Sequence, residues 1–197
     1  MTERTGSVSR KTNETDITVR LDLDGSREIS ITTGVPFLDH MLDALARHGR
    51  FGLTVDASGD VDIDPHHTVE DTGIAIGQAL KQALGDRTGI DRYGFAYAPL
   101  DEALARVVID CSGRPFLDYH ADFPEAVIGR DFAASLVEEF WRSLAVNAGL
   151  TVHIDLLRAR NSHHAAEAIF KAGAVALRTA IRRTEGAGVP STKGLLA

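Results

Sequence analysis

Asp64-Pro65-His66-His67-Thr68-Val69-Glu70-Asp71 and Asn161-Ser162-His163-His164-Ala165-Ala166-Glu167-Ala168 are two versions of one pattern. Each places two adjacent histidines, with a glutamate three residues on, at the entry to an apolar-periodic stretch. The pairs are offset by 97 residues (163 − 66). The same offset carries Leu53-Thr54-Val55 onto Leu150-Thr151-Val152 and Leu80 onto Leu177. Upstream the offset is 88 (102 − 14), which pairs Glu14 with Glu102, Asp22 with Asp110 and Gly25 with Gly113. Matched landmarks on a drifting offset indicate a duplicated half-domain with insertions in its loops.

Each half has the same order of elements. A strand, Ile17 to Leu23 or Leu104 to Cys111, ends at a Gly-containing turn. A helix follows, Pro36 to His48 or Ala133 to Ala148, with apolar residues at helical spacing. A second strand comes next, Leu53 to Ala57 or Leu150 to Leu156, and the double-histidine helix closes the half, His66 to Leu84 or His163 to Arg183. Ile29 to Thr32 and Arg92 to Ala98 add further strands. Several neighbouring strands read as antiparallel, so the expected class is α+β: a duplicated half-domain forming a sandwich, β-sheets on one side and a helical layer on the other. The halves divide as residues 1–90 and 91–186. Residues 187–197 form a Gly/Pro/Ser/Thr-rich C-terminal segment, a frayed tail by composition.

The length suits one ordinary domain or two small ones. A formal charge of −7 argues against a generic nucleic-acid binder, though a small anionic substrate needs only a local cluster of cations. Cys111 is the sole cysteine, so no intrachain disulfide forms. Met1 to Glu14 is polar and has no secretory apolar core, and no run approaches the ~20 residues of a membrane span. A cytoplasmic enzyme is the expectation.

The double histidines carry the chemistry. His66 and Glu70, or His67 and Glu70, share a helix face. Adjacent histidines point about 100° apart around a helix of ~3.6 residues per turn, so they are poorly placed to chelate one ion. Each helix start is therefore expected to serve two metals. His40 is the natural further ligand, and the repeat sets Glu139 opposite it. His48 is paired in the same way with Asn147. Alone, any of these would be an ordinary surface or capping residue; the repetition of the cluster is what points to metal. His120 and His153 lack such support and read as structural. Nitrogen and oxygen donors without thiolate fit Mn, Fe, Co, Ni or Zn.

With these motifs the chain closely resembles the imidazoleglycerol-phosphate dehydratase family over nearly its whole length. The resemblance is carried by Thr12-Asn13-Glu14-Thr15, Phe37 to Leu42, Asp64 to Asp71, Pro99-Leu100-Asp101-Glu102-Ala103, Asp110 to Pro115, Asn161 to Ala172 and Pro190 to Gly194. It implies a ribosomal-protein-S5-domain-2-like half-domain, Mn(2+) with two ions per active site, and a 24-subunit homo-oligomer built from trimers, with sites between subunits. It implies metal ligation by His40, His66, His67, Glu70, His163, His164 and Glu167. Many members have histidine where this chain has Glu139; a carboxylate also suits Mn(2+), so Glu139 stays in the candidate set. The implied substrate contacts are Glu14, His40, His48, His66, Glu70, Arg92, Arg114, His163, Lys171, Ser191, Thr192 and Lys193. Glu14 is the first candidate acid/base, with His67 and Glu167 as further catalytic candidates.

The implied reaction removes water from imidazoleglycerol phosphate to give imidazole acetol phosphate. Two cations on the ring nitrogens would hold an imidazolate able to expel the neighbouring hydroxide; the resulting diazafulvene acidifies the next C–H for a base. Arginine and lysine would hold the phosphate, and Ser191 to Gly194 would order over it. Two other classes share the ligand pattern. A metal-dependent phosphate-ester hydrolase would use the cations to activate water. A metal-storage protein would need no phosphate cradle.

Overall fold

The computed structural model describes residues 3–184, 188, 189, 191, 192 and 194. The first half comprises β1 (Thr5–Lys11), β2 (Thr15–Asp22), β3 (Ile29–Thr32), α1 (Pro36–Gly49), β4 (Gly52–Gly59) and α2 (His66–Leu84). The second comprises β5 (Tyr93–Leu100), β6 (Ala103–Asp110), β7 (Phe116–His120), the short β8 (Val127–Ile128) and β9 (Phe132–Ala133), α3 (Ser135–Ala148), β10 (Thr151–Arg158) and α4 (Ser162–Ala180).

The two sheets share one topology. The first runs β1-β2-β4-β3 and the second β5-β6-β10-β7. In each, the first three neighbours are antiparallel, and the last strand joins in parallel. Strands alternate in burial: Ile17, Val19 and Leu21 face inward on β2, and Ala105, Val107 and Ile109 on β6. Within each half the sheet lies on one side and the helices on the other. The halves meet helix to helix, so the helices end up between two outer sheets. α2 rests on β1 and β2 and packs against α3, while α4 rests on β5 and β6 and packs against α1. Phe140, Trp141 and Phe170 fill the centre.

The structure explains the drifting offset and corrects part of it. Leu53 pairs with Leu21, and Val152 pairs with Ile109, the repeat equivalent of Leu21. Leu53 therefore corresponds to Val152, an offset of 99 (152 − 53), not to Leu150. A slip of two preserves the in/out alternation, which is why the Leu-Thr-Val match was deceptive. The step from 88 to 99 falls between β7 and α3, where the β8–β9 hairpin is inserted.

Four strands escaped the sequence pattern. β1 lies within the polar N-terminal stretch, because only Gly6 of its residues is buried and its outward positions are Thr5, Ser7, Ser9 and Lys11. β7 is an edge strand of mixed exposure, and the β8–β9 pair is too short for periodicity. α4 ends at Ala180, with Arg183 instead bridging to Ile90.

Candidate active site

Both double-histidine helices are anchored just before their first turn. Asn161 caps α4, its side-chain oxygen accepting from the N–H groups of His163 (2.9 Å) and His164 (3.2 Å). On α2 the Asp64 carboxylate accepts from His66 N–H at 2.8 Å, and Pro65 presets the backbone. Each histidine pair therefore projects from a fixed helix start. The rings diverge, at 85° for His66 and His67 and 89° for His163 and His164.

His163 turns towards α1. Its Nε2 lies 3.3 Å from Glu167 Oε2, and His40 Nε2 reaches the same oxygen at 3.3 Å. Two imidazoles and a carboxylate, drawn from both halves, thus converge on one point, with all three donor atoms within 4.8 Å of one another. Lys171 Nζ holds the other oxygen, Oε1, at 2.6 Å. Burial opposes ionisation of Glu167, but Lys171 and His40 outweigh it and leave its carboxyl below the ordinary range. His48, two turns along α1 from His40, has its pKa lowered by desolvation and by Lys171.

His164 turns the other way, to the β5–β6 turn. Glu102 Oε2 accepts from its Nδ1 at 2.9 Å, and Asp101 completes a second group of possible ligand atoms. The mutual pairing holds Glu102 down to about 2 and raises His164. In the first half His67 Nδ1 lies 3.0 Å from Asp60 Oδ2 and 3.8 Å from Glu14 Oε2, and the Asp60 contact raises the His67 pKa. Glu102, Asp101 and Asp60 were not singled out from the sequence as site residues. The Glu14–Glu102 repeat match was the available signal for the first; Asp60 gave none, sitting in a Gly-Asp turn.

His66, Glu70 and Glu139 are the repeat equivalents of His163, Glu167 and His40, again drawn from both halves. α2 and α3 run side by side in one direction, Gly73 against Phe140 and Ser143, Gly77 against Leu144 and Asn147. Here the three are not gathered. His66 Nε2 lies 3.9 Å from Glu70, while Glu139 leans to Arg142 at 3.8 Å. This group offers two carboxylates and one imidazole, where the His40 group offers one carboxylate and two imidazoles.

Arg92 and Arg114 come together on Asp110. Arg92 Nε donates to Oδ1 at 2.7 Å, and Arg114 Nη2 is 3.6 Å from Oδ2. They sit at the far end of α4 from His163. The Arg92 N–H donates to the Ala180 carbonyl, which places its backbone roughly 25 Å from the start of the helix at ~1.5 Å per residue. One chain therefore does not bring Arg92 to its own His163 and His164. Ser191 and Thr192 lie in a short turn, and Lys193 falls outside the described residues. His120 and His153 both pair with Asp118 on the outer sheet face, away from these clusters.

A family model for imidazoleglycerol-phosphate dehydratase (IGPD) matches residues 33–177. Imidazoleglycerol-phosphate dehydratase of Thiobacillus denitrificans is 59% identical over 98% of this chain and its own whole length. That of Thioalkalivibrio sulfidiphilus is 57% identical over the full length of both chains. The fold agrees with the crystal structure of the Staphylococcus aureus dehydratase (TM-score 0.83, 43% identity, 91% of this chain and 99% of that one). It agrees equally with IGPD from Pyrococcus furiosus (TM-score 0.84, 38% identity, 96% and 100%). With a family match across most of its length and relatives above half identity from end to end, the chain belongs to the imidazoleglycerol-phosphate dehydratase family.

Proposed function

We propose that the chain is a hydro-lyase of histidine biosynthesis that converts imidazoleglycerol phosphate to imidazole acetol phosphate and water, using Mn(2+), two ions per active site. The observation that carries the metal reading is the convergence of His40, His163 and Glu167. Two ring nitrogens and one carboxylate oxygen are a donor set that suits a divalent ion of this kind. His66, His67, Glu70 and His164 are the remaining ligand candidates, and Glu139 is the residue to test at the His40-equivalent position. Held by these residues, a divalent cation would supply Lewis-acid stabilisation to the substrate's imidazole ring.

The chain's own side chains supply the rest. Lys171 keeps Glu167 ionised and pins its orientation at 2.6 Å. Glu14 is half-exposed on a turn held by Thr12, whose hydroxyl accepts its N–H at 3.1 Å. From there its carboxylate takes the proton from the carbon adjoining the one that loses hydroxide, and can deliver a proton to the ring-side carbon as the enol becomes the ketone. Arg92, Arg114, Ser191, Thr192 and Lys193 bind the phosphate.

The ~25 Å between the Arg92 backbone and the His163 end of α4 in one chain supports sites shared between copies. So does the asymmetry of the two outer faces. The first sheet exposes Ser7, Thr18, Arg20 and Asp56, whereas the second exposes Tyr93, Phe95, Tyr97, Val108 and Phe116. An apolar sheet face of this kind suits contact with another copy, in a 24-mer built from trimers. Among the described residues no helix is long and apolar enough to cross a membrane, in keeping with a cytoplasmic enzyme.

The test is product analysis of Mn-loaded protein with imidazoleglycerol phosphate. Release of an enolisable ketone is expected; release of inorganic phosphate would mean a phosphate-ester hydrolase, and no turnover a storage protein. Chelation should shift the large particle towards trimers, because shared ligands couple metal binding to assembly. A sedimentation profile indifferent to complete metal removal contradicts shared ligation.

A further inference from the structure

We infer that Glu102 and Asp60 are positioning residues that fix the rings of His164 and His67, each by accepting a hydrogen bond at Nδ1 so that Nε2 is left to a cation. The inference rests on the metal reading above and goes beyond it in assigning roles to two carboxylates outside the ligand set.

The geometry repeats in both halves, although the residues do not. Glu102 Oε2 is 2.9 Å from His164 Nδ1, and Asp60 Oδ2 is 3.0 Å from His67 Nδ1. A neutral imidazole carries one N–H, so a carboxylate at Nδ1 holds the proton there and leaves the Nε2 lone pair free. A carboxylate behind a ligating histidine also fixes the plane of the ring.

The Glu102 carboxylate is itself held, and so is the Asp60 backbone. The Arg160 N–H donates to Glu102 Oε1 at 3.2 Å, so the oxygen not facing His164 is occupied. Glu102 is thrown towards α4 by the two-residue β5–β6 loop, where Leu100 pairs with Ala103 and Asp101 adopts φ +47. That is a left-handed conformation unusual outside glycine, retained here at a site. The Asp60 N–H donates to the Glu14 carbonyl at 3.2 Å, tying the turn after β4 to the turn before β2.

The repeat explains why there are two solutions. Glu14 and Glu102 are equivalent by sequence, and each approaches the second histidine of its half. Glu102 bonds directly to His164. In the first half Asp60 takes that position, and Glu14 stands back at 3.8 Å. Asp60 therefore takes over the orienting role and leaves the Glu14 carboxylate available to the substrate. The two copies of one glutamate have diverged, one to hold a ligand and one to move a proton.

The experiment is Mn(2+) titration of the metal-stripped protein, following free ion by its EPR signal, for Glu102→Ala, Glu102→Gln and Asp60→Ala. The alanine variants should bind one class of Mn(2+) about 10- to 100-fold more weakly, with the number bound at saturation unchanged. Glu102→Gln should recover most of that loss, because an amide oxygen still accepts from Nδ1–H. Unchanged affinity in the alanine variants overturns the inference. So does a missing equivalent of Mn(2+) at saturation in both Glu102 variants, which would make Glu102 a ligand. Should Glu102→Ala fail to fold, Glu102→Leu takes its place under the same criteria: weaker binding of one class of Mn(2+) upholds the hydrogen-bond acceptor, and unchanged affinity or a lost equivalent refutes it. The titration uses no substrate, so failure of the dehydratase reading would show separately, as absence of the ketone product.

Discussion

Gly94 lies so close to Ala176 that a Cβ on it would stand 1.9 Å from the Ala176 carbonyl oxygen. Gly6 stands in the same relation to Ala79, at 2.0 Å. The offsets of this pair, 88 between the glycines and 97 between the alanines, are those of the sequence repeat (94 − 6; 176 − 79). Backbone oxygen on a buried helix cannot move aside as a flexible side chain can. Gly94→Ala should therefore destabilise the chain by about 3 kcal/mol, the upper range for overpacking, and Gly6→Ala should act in the same direction. Denaturant midpoints for both variants check this; an unchanged midpoint for Gly94→Ala would show that β5 and α4 separate freely.

Most of this architecture was legible because duplication showed each element twice. α2 and β3 match the sequence reading at both ends, since apolar period and flanking turns agree there. β1 was not legible: its inward residue is a glycine, which carries no hydrophobic signal, and its contact with α2 is backbone against backbone. The divergence of adjacent histidines followed from helix geometry alone. Asp60 and the distance of Arg92 from His163 did not, because both depend on how loops and halves meet across the fold.

Glu14 stands 3.8 Å from His67 Nδ1, beyond hydrogen-bond distance, which makes its role measurable apart from metal binding. Glu14→Gln should lower kcat by about 10²- to 10⁴-fold, the usual contribution of a positioned acid/base, while metal content stays at the native level. His40→Ala should do the opposite at the metal, because its Nε2 is one of three donors around Glu167. Metal content after gel filtration should drop for His40→Ala and hold for Glu14→Gln. Equal loss in both would make Glu14 a ligand or a structural residue.

Arg4 and Asp24 predict an acid-dependent contribution to stability. Arg4 donates two hydrogen bonds to the Asp24 carboxylate, at 2.8 and 2.6 Å, and this pairing lowers the Asp24 pKa from its ordinary 3.8. A carboxyl lowered in the folded state stabilises above its unfolded pKa, and that contribution is lost as pH falls through the folded one. The wild type should thus exceed Asp24→Asn in stability at neutral pH, with the gap closing below pH 3.8. Urea midpoints across that range decide it. A gap that persists undiminished in acid would trace the difference to packing instead of charge.

Cys111 should behave as a reporter of global unfolding. It is fully buried at the end of β6, and desolvation pushes its thiol up to about 12. At pH ~8 the thiolate fraction of such a group is roughly one in ten thousand, against a substantial share for a free cysteine. Access and reactivity are therefore lost together, and both return when β6 leaves the core. Ellman's reagent should give essentially no native-state reaction and one thiol per chain in denaturant. The rate at intermediate denaturant should follow the unfolding transition measured by circular dichroism. Fast labelling of the native protein would instead reveal a local opening that exposes the end of β6 without disrupting the sheet.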